Sequence, residues 1–259
     1  LEDAAAGLAA PATPVASIFH LASMVSGECE QRFDDALRVN LDGGRNVFEA
    51  ARAITSAAGS RPRVVFASSI ACYSGETVAP INTDATKLTP RTTYGMTKAI
   101  CELLINDYSR KGHFDGRTAR LPTVIIRPGQ PNAAASSWAS GMFREPLNGQ
   151  TCALPVRRDQ GHPMTGYRTV IASLIALHEV PESALADDRA YVLPAHTVTP
   201  ALAEVALHAV AAERGLMLGS IVDAPDARIQ GIVTNWPVAI DGSRAVALGL
   251  PSPPPLATL

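Results

Sequence analysis

The run Arg63-Val64-Val65-Phe66-Ala67-Ser68-Ser69 limits the fold more than any other stretch of the chain. It is short, apolar and rich in β-branched residues, the pattern of a buried strand in a parallel sheet. Parallel sheets need helices over both faces, so an α/β architecture is expected. The run ends in two hydroxyls, Ser68 and Ser69. The carboxyl ends of such strands are where open α/β sheets bind ligands.

Twenty-five residues after Ser69 comes Tyr94, in the stretch Thr93-Tyr94-Gly95-Met96-Thr97-Lys98-Ala99-Ile100. Tyr94 and Lys98 stand four residues apart at the start of an expected helix, which stacks them on one face. Met96, Ile100, Leu103 and Leu104 are expected to gather roughly opposite, giving one face that packs and one that holds a phenol beside an ammonium. A neighbouring ammonium favours phenolate and draws a tyrosine down from its usual pKa of about 10. That is what a general base for an alcohol needs. The Tyr-Lys spacing alone also describes a solvated helix face; Ser69 on the preceding strand is what favours a catalytic reading.

The 259 residues are 47% hydrophobic and 18% charged, with net charge −2, which suits one large domain or a domain with a smaller lobe. The near-neutral balance gives no basic footprint for nucleic acid. No apolar run approaches the roughly 18 residues of a membrane helix. No charged-then-apolar stretch opens these residues, so no signal segment is expected. Cys29, Cys72, Cys101 and Cys152 are scattered without a CxxC pair, so reduced cytoplasmic thiols are expected. No His/Cys/Asp cluster has metal-ligand spacing, so no metal is expected.

Leu1 to Leu8 reads as a helix end, and Pro11-Ala12-Thr13-Pro14 as a loop. Val15 to Ala22 reads as a buried strand, with Ser23 to Glu28 a loop at the same sheet edge. Gln31 to Ala58 is mostly helical, and Gly75 to Pro90 is a polar loop. Thr118 to Ile126 is a strand region broken at Leu121-Pro122-Thr123. Arg127 to Ser137 is rich in small residues that let backbone approach a ligand, with Asn132 and Ser136 as neutral hydrogen-bonding groups. Arg127 and Arg144 could each clamp a carboxylate with forked donors, or form surface ion pairs instead. Tyr167 to His178 and Pro200 to Arg214 read as amphipathic helices, with Ala190 to Pro194 a strand between.

Ser69, Tyr94 and Lys98 together resemble the catalytic set of the extended short-chain dehydrogenase/reductases, the NAD-dependent epimerase/dehydratase family. Ser68-Ser69-Ile70-Ala71-Cys72-Tyr73-Ser74-Gly75 resembles that family's strand-end motif, with one extra residue before the glycine. Asn40-Leu41-Asp42-Gly43-Gly44 resembles its crossover helix. The likeness runs from about Val15 to Trp236-Pro237 and is strongest across Leu88–Lys111 and Arg120–Leu147. There it is closest to a branch acting on small four-carbon sugar acids.

The resemblance implies a doubly wound parallel Rossmann-type sheet in residues 1–130, and a smaller substrate lobe, interleaved with the last sheet strands, in 131–259. It implies NAD as cofactor, with Ser69, Tyr94 and Lys98 catalytic. His20, Leu21, Ala22, Ser68, Tyr94, Lys98, Leu121, Pro122 and Thr123 would contact the cofactor. Ser26, Ser69, Tyr94, Arg127, Asn132, Ser136 and Arg144 would contact a sugar acid, whose 2-hydroxyl would be oxidised. A homodimer through Gln31–Ala58 and Tyr94–Arg110 is also implied. The family's Gly-rich phosphate turn and its ribose-binding acidic residue have no counterpart, so the sheet is expected to lack its first strands, and NAD over NADP rests on the resemblance alone. Arg157 to Pro163 departs from the branch, and no site residue is assigned there. Two alternatives stay open: a sugar-nucleotide epimerase or dehydratase with the same triad, and a cofactor-free remnant with a binding role.

Overall fold

A computed structural model describes residues 15–126 and 133–254. The stretches expected at Leu1 to Leu8 and Pro11 to Pro14, and the site candidates Arg127 and Asn132, lie outside the described residues. Strand β1 (Ser17–His20) leads through a single helical turn, Ser26–Cys29, into a helical path. There a π-turned segment, Leu37–Asp42, continues as α1 (Gly43–Ala58). Then come β2 (Arg63–Ser69), α2 (Thr93–Arg110), β3 (Asp115–Leu121), β4 (Thr123–Ile125), α3 (Ser137–Leu147), β5 (Cys152–Leu154), β6 (His162–Gly166) and α4 (Tyr167–Glu179). They are followed by β7 (Ala190–Val192), β8 (His196–Val198), α5 (Pro200–Arg214), β9 (Ile221–Asp223) and α6 (Ala227–Thr234).

β1, β2, β3 and β7 form a parallel sheet in the order β1-β2-β3-β7. Side chains alternate along β2, and its two faces meet different helices. Val64 and Phe66 pack with Phe48, Ala51, Cys101, Ile105 and Phe114, from the α1 and α2 side. Val65 packs with Ala119, Tyr191 and the α4 residues Val170, Leu174 and Leu177 on the other. This double covering explains the unbroken apolar run, each large side chain contributing roughly 1.5–3 kcal/mol by burial.

Pro122 has no backbone N–H for a sheet ladder, and the strand breaks there. The chain steps from β3 in the main sheet to β4, which pairs in parallel with β6, and β6 pairs antiparallel with β8. Thr123 therefore sits on the seam between sheet and lobe. The lobe core gathers Trp138, Met142, Leu154, Met164, Val198, Val233 and Trp236. Residues beyond 131 serve both cores, since α4 and β7 belong to the main sheet.

Helix α2 differs from its expected two-faced pattern. Gly95, Thr97, Lys98, Ala99, Cys101, Glu102 and Ile105 are all buried, whereas Leu103 is 67% exposed. Burial on the Lys98 side follows from close approach to β2 and to the turn Ile70–Cys72. A Cβ on Gly95 would lie 2.2 Å from the Ala71 carbonyl oxygen, so only glycine allows this approach.

Candidate active site

Ser69 ends β2 in extended geometry, φ −153° and ψ 150°, and its Oγ accepts a hydrogen bond from the Ala71 N–H at 3.1 Å. The Ser69 hydroxyl hydrogen remains for another acceptor. Thr92 starts α2 by accepting the Gly95 N–H on Oγ1 at 3.1 Å, as helix-capping threonines do. That places Tyr94 in the first turn, where it lines one cavity with Ser69. One helical turn on, the Lys98 Nζ donates to the Ala67 carbonyl at 2.7 Å. It lies 4.7 Å from the Phe66 ring centroid and 5.5 Å from that of Tyr94.

The three residues therefore assemble as expected, but the electrostatics do not. Burial pushes the Tyr94 phenol above its ordinary value, and the nearby Ser69 hydroxyl opposes this only in part. Lys98 meets the face of the Tyr94 ring and donates a hydrogen bond to a backbone carbonyl, so it does not draw the phenol down. The ammonium is itself lowered to about 8 by burial. The ligand-free site thus holds a protonated phenol beside a buried lysine, and the expectation of a phenolate-like Tyr94 is corrected.

Ser69 and Tyr94 open on a cavity of about 310 Å³, lined also by Val25, Ser68, Leu121, Pro122, Thr123, Val124, Ala134, Ser136 and Trp236. Leu121, Pro122, Thr123 and Ser136 were expected at the site and are there. Ser68 also lines it, with its hydroxyl donating to the Glu102 carboxylate. Ser26 is buried and is not among the lining residues; its Oγ accepts the Ala135 N–H at 3.0 Å, tying the turn at Ser26–Cys29 to Ala135. His20 is lodged between rings, stacked on Phe66 at 5.4 Å and edge-on to Phe48 at 6.1 Å. Burial, and then Lys98, lower its pKa. Leu21 and Ala22 are exposed just beyond the end of β1.

Arg144 is a correction. Its guanidinium pairs with Glu145 at 2.5 Å, and it lines neither the cavity at Ser69 and Tyr94 nor a neighbouring one of about 190 Å³. Having a carboxylate partner within the protein, it is not poised for one on a ligand. Spacing analysis missed Glu102, Arg120, His162 and Trp236. Glu102 lies one turn beyond Lys98, and an arginine inside an apolar strand was the available signal for Arg120. Trp236 had marked only the end of the family likeness. Among the described residues no group of His, Cys, Asp and Glu could hold a metal, and no helix is long and apolar enough to cross a membrane.

Residues 2–163 match the model of the NAD dependent epimerase/dehydratase family, well over half of the chain. The chain belongs to this family. Within the epimerase/dehydratases it is 42% identical to a D-erythronate dehydrogenase of Cupriavidus necator over 240 residues, 93% of this chain and 72% of that protein. A D-erythronate dehydrogenase of Haemophilus influenzae is 41% identical over 233 residues, 90% of this chain and 72% of that one. A solved structure described as a nucleoside-diphosphate-sugar epimerase from Agrobacterium tumefaciens superposes with a TM-score of 0.83 at 40% identity, over 92% of this chain and 68% of that one. The Rossmann-type α/β fold read from the sequence is thereby established.

His162 gives a pH prediction. It is fully buried, and burial lowers its pKa to about 4, against about 6.5 in an unfolded chain. The unfolded chain binds the proton more readily, so this contribution is complete above pH 6.5 and is lost as pH falls towards 4. The loss should approach roughly 3 kcal/mol. Urea unfolding across this window should show a shallower pH dependence for His162→Phe than for wild type; parallel curves would contradict the buried neutral imidazole.

Proposed function

We propose that the protein oxidises the 2-hydroxyl of a small sugar acid, D-erythronate or a near relative, to the 2-keto acid with NAD. The observation that carries this reading is the pairing of Ser69 and Tyr94 on the wall of a cavity lined by neutral groups, with Lys98 packed behind. The two relatives named for D-erythronate point to the substrate class.

The residues suit a nicotinamide cofactor. Leu21 and Ala22 present exposed backbone and apolar surface at the sheet edge, and Leu121-Pro122-Thr123 line the cavity. Lys98 spends one donor on Ala67 and keeps others for ribose hydroxyls. Bound there, the nicotinamide supplies the hydride acceptor that side chains cannot provide.

Ser69 holds the substrate oxygen with its free hydroxyl hydrogen. Tyr94 Oη, once its own proton has passed to solvent, takes the hydroxyl proton during oxidation, and it returns that proton to the carbonyl oxygen in reverse. The protonated phenol of the ligand-free site is ready for the reverse direction. In the forward direction Lys98 must reach the phenolate, and its lowered pKa makes it sensitive to whatever fills the cavity.

The sugar-nucleotide reading draws support from the Agrobacterium likeness. Against it, no charged side chain among the described lining residues could hold a diphosphate. The four cysteines are buried and unpaired, in keeping with a reducing cytoplasm. The exposed Phe33, Val39 and Leu103, on the helical path before α1 and on α2, would be covered in a homodimer.

In the full-length protein, Tyr94→Phe should cut sugar-acid oxidation by about 10²–10⁴. It should cost only about 1 kcal/mol in stability. Turnover of nucleotide sugars but not sugar acids by wild type would refute the substrate class. Light scattering at micromolar concentration should give a dimer mass, and a monomer would refute the paired helices.

A further inference from the structure

The oxidation proposed above leaves open what receives the substrate's carboxylate, and the inference rests on that reading. No charged side chain lines the catalytic cavity among the described residues; its polar side chains are the hydroxyls of Ser68, Ser69, Tyr94, Thr123 and Ser136, and the Trp236 indole. Ser68 is spent on Glu102, Ser69 and Tyr94 serve the 2-hydroxyl in the reading above, and the Trp236 indole nitrogen is buried without a partner. Thr123 differs from the others in being held from behind. Its Oγ1 lies 2.6 Å from Nε2 of His162, and the residues are 8% and 0% exposed. The imidazole is fixed in turn, stacked on Trp236 at 5.7 Å and 6.0 Å from Trp138.

The imidazole Nδ1 is buried and has no hydrogen-bond partner. A buried N–H left unpaired is rarer in proteins than an unfilled acceptor. The proton of the neutral ring therefore belongs on Nε2, with the lone pair on Nδ1. His162 then donates to Thr123, and the threonine hydroxyl keeps its own hydrogen for an acceptor in the cavity.

We propose that His162 is a positioning residue that holds the Thr123 hydroxyl as a hydrogen-bond donor to the carboxylate of the bound sugar acid. The carboxylate and the 2-hydroxyl are on adjacent carbons, so one cavity serves both. A carboxylate taken out of water needs its lone pairs filled, and an oriented hydroxyl fills one at no cost in freedom on binding. The role once expected of Arg144 passes to a neutral donor braced by a buried ring.

The test is a double-mutant cycle in the full-length protein with D-erythronate and NAD. Thr123→Val and His162→Phe should each raise KM about tenfold, the worth of one hydrogen bond, with kcat little changed. The double variant should be no worse than either single one, and Thr123→Ser should restore wild-type KM. Nitrogen-15 NMR should find the His162 proton on Nε2, with a signal that moves on adding D-erythronate and stays still with the neutral polyol erythritol. Additive losses, a proton on Nδ1, or equal response to erythritol would overturn the proposal. A wild type that oxidises no sugar acid would refute the function instead; the NMR titration with D-erythronate would still decide the positioning role, its shift upholding it and a still signal overturning it.

Discussion

Glu102 and Arg120 form a buried ion pair on which the rest of the site depends. The Arg120 Nη2 reaches Glu102 Oε2 at 2.8 Å, and its Nε reaches both carboxylate oxygens at 3.1 Å. The two side chains are only 4% and 2% exposed. Glu102 also accepts from Ser68, while Arg120 donates to the Tyr73 hydroxyl at 2.7 Å and to the Asp84 carbonyl at 3.3 Å. One network thus joins α2, β2, β3 and the turn after Ser69. Removing one member would leave a buried charge unpaired, at a cost of about 3–5 kcal/mol. An apolar pair could give the same stability, but not the same directional bonds to Ser68 and Tyr73. Glu102 fixes the depth of α2, and with it the height of Tyr94 against Ser69.

A second polar tie works from the opposite side. Asn40, in the π-turned segment, accepts the Met24 N–H at 2.7 Å and donates to the Thr97 hydroxyl at 3.4 Å. It links the loop after β1 to the residue beside Lys98. The extra backbone group of a π-turn re-aims a side chain in this way, and such turns are frequent at functional sites. The apolar clusters on the two sheet faces supply most of the burial energy, while these two polar ties set the geometry.

The parts of the fold legible in the sequence were those fixed by local chemistry. The apolar run ending at Ser69, the helix opening at Thr93-Tyr94, and the break at Pro122 each follow from neighbouring residues. What failed depended on distant partners. Periodicity put Tyr94 and Lys98 on one face, yet could not show that this face lies against Phe66 and not in water. Arg144 was paired with its neighbour Glu145, which spacing rules do not anticipate, because adjacent helix residues point apart. His162 stood in a run given no site residue, and becomes part of β6 through pairing with β4 and β8, both far away along the chain. Arg120 was visible as a charge in an apolar strand, but Glu102 lies on another element.

The account reduces to one chemical event, removal of hydrogen from C2 of a sugar acid beside Ser69 and Tyr94. Supplying D-erythronate deuterated at C2, with NAD, tests it directly. Mass spectrometry of the recovered cofactor should find the deuterium in NADH, mole for mole with the 2-keto acid formed. Unlabelled NADH would place the oxidation at another carbon. An epimerised acid with no net NADH would contradict the oxidation altogether.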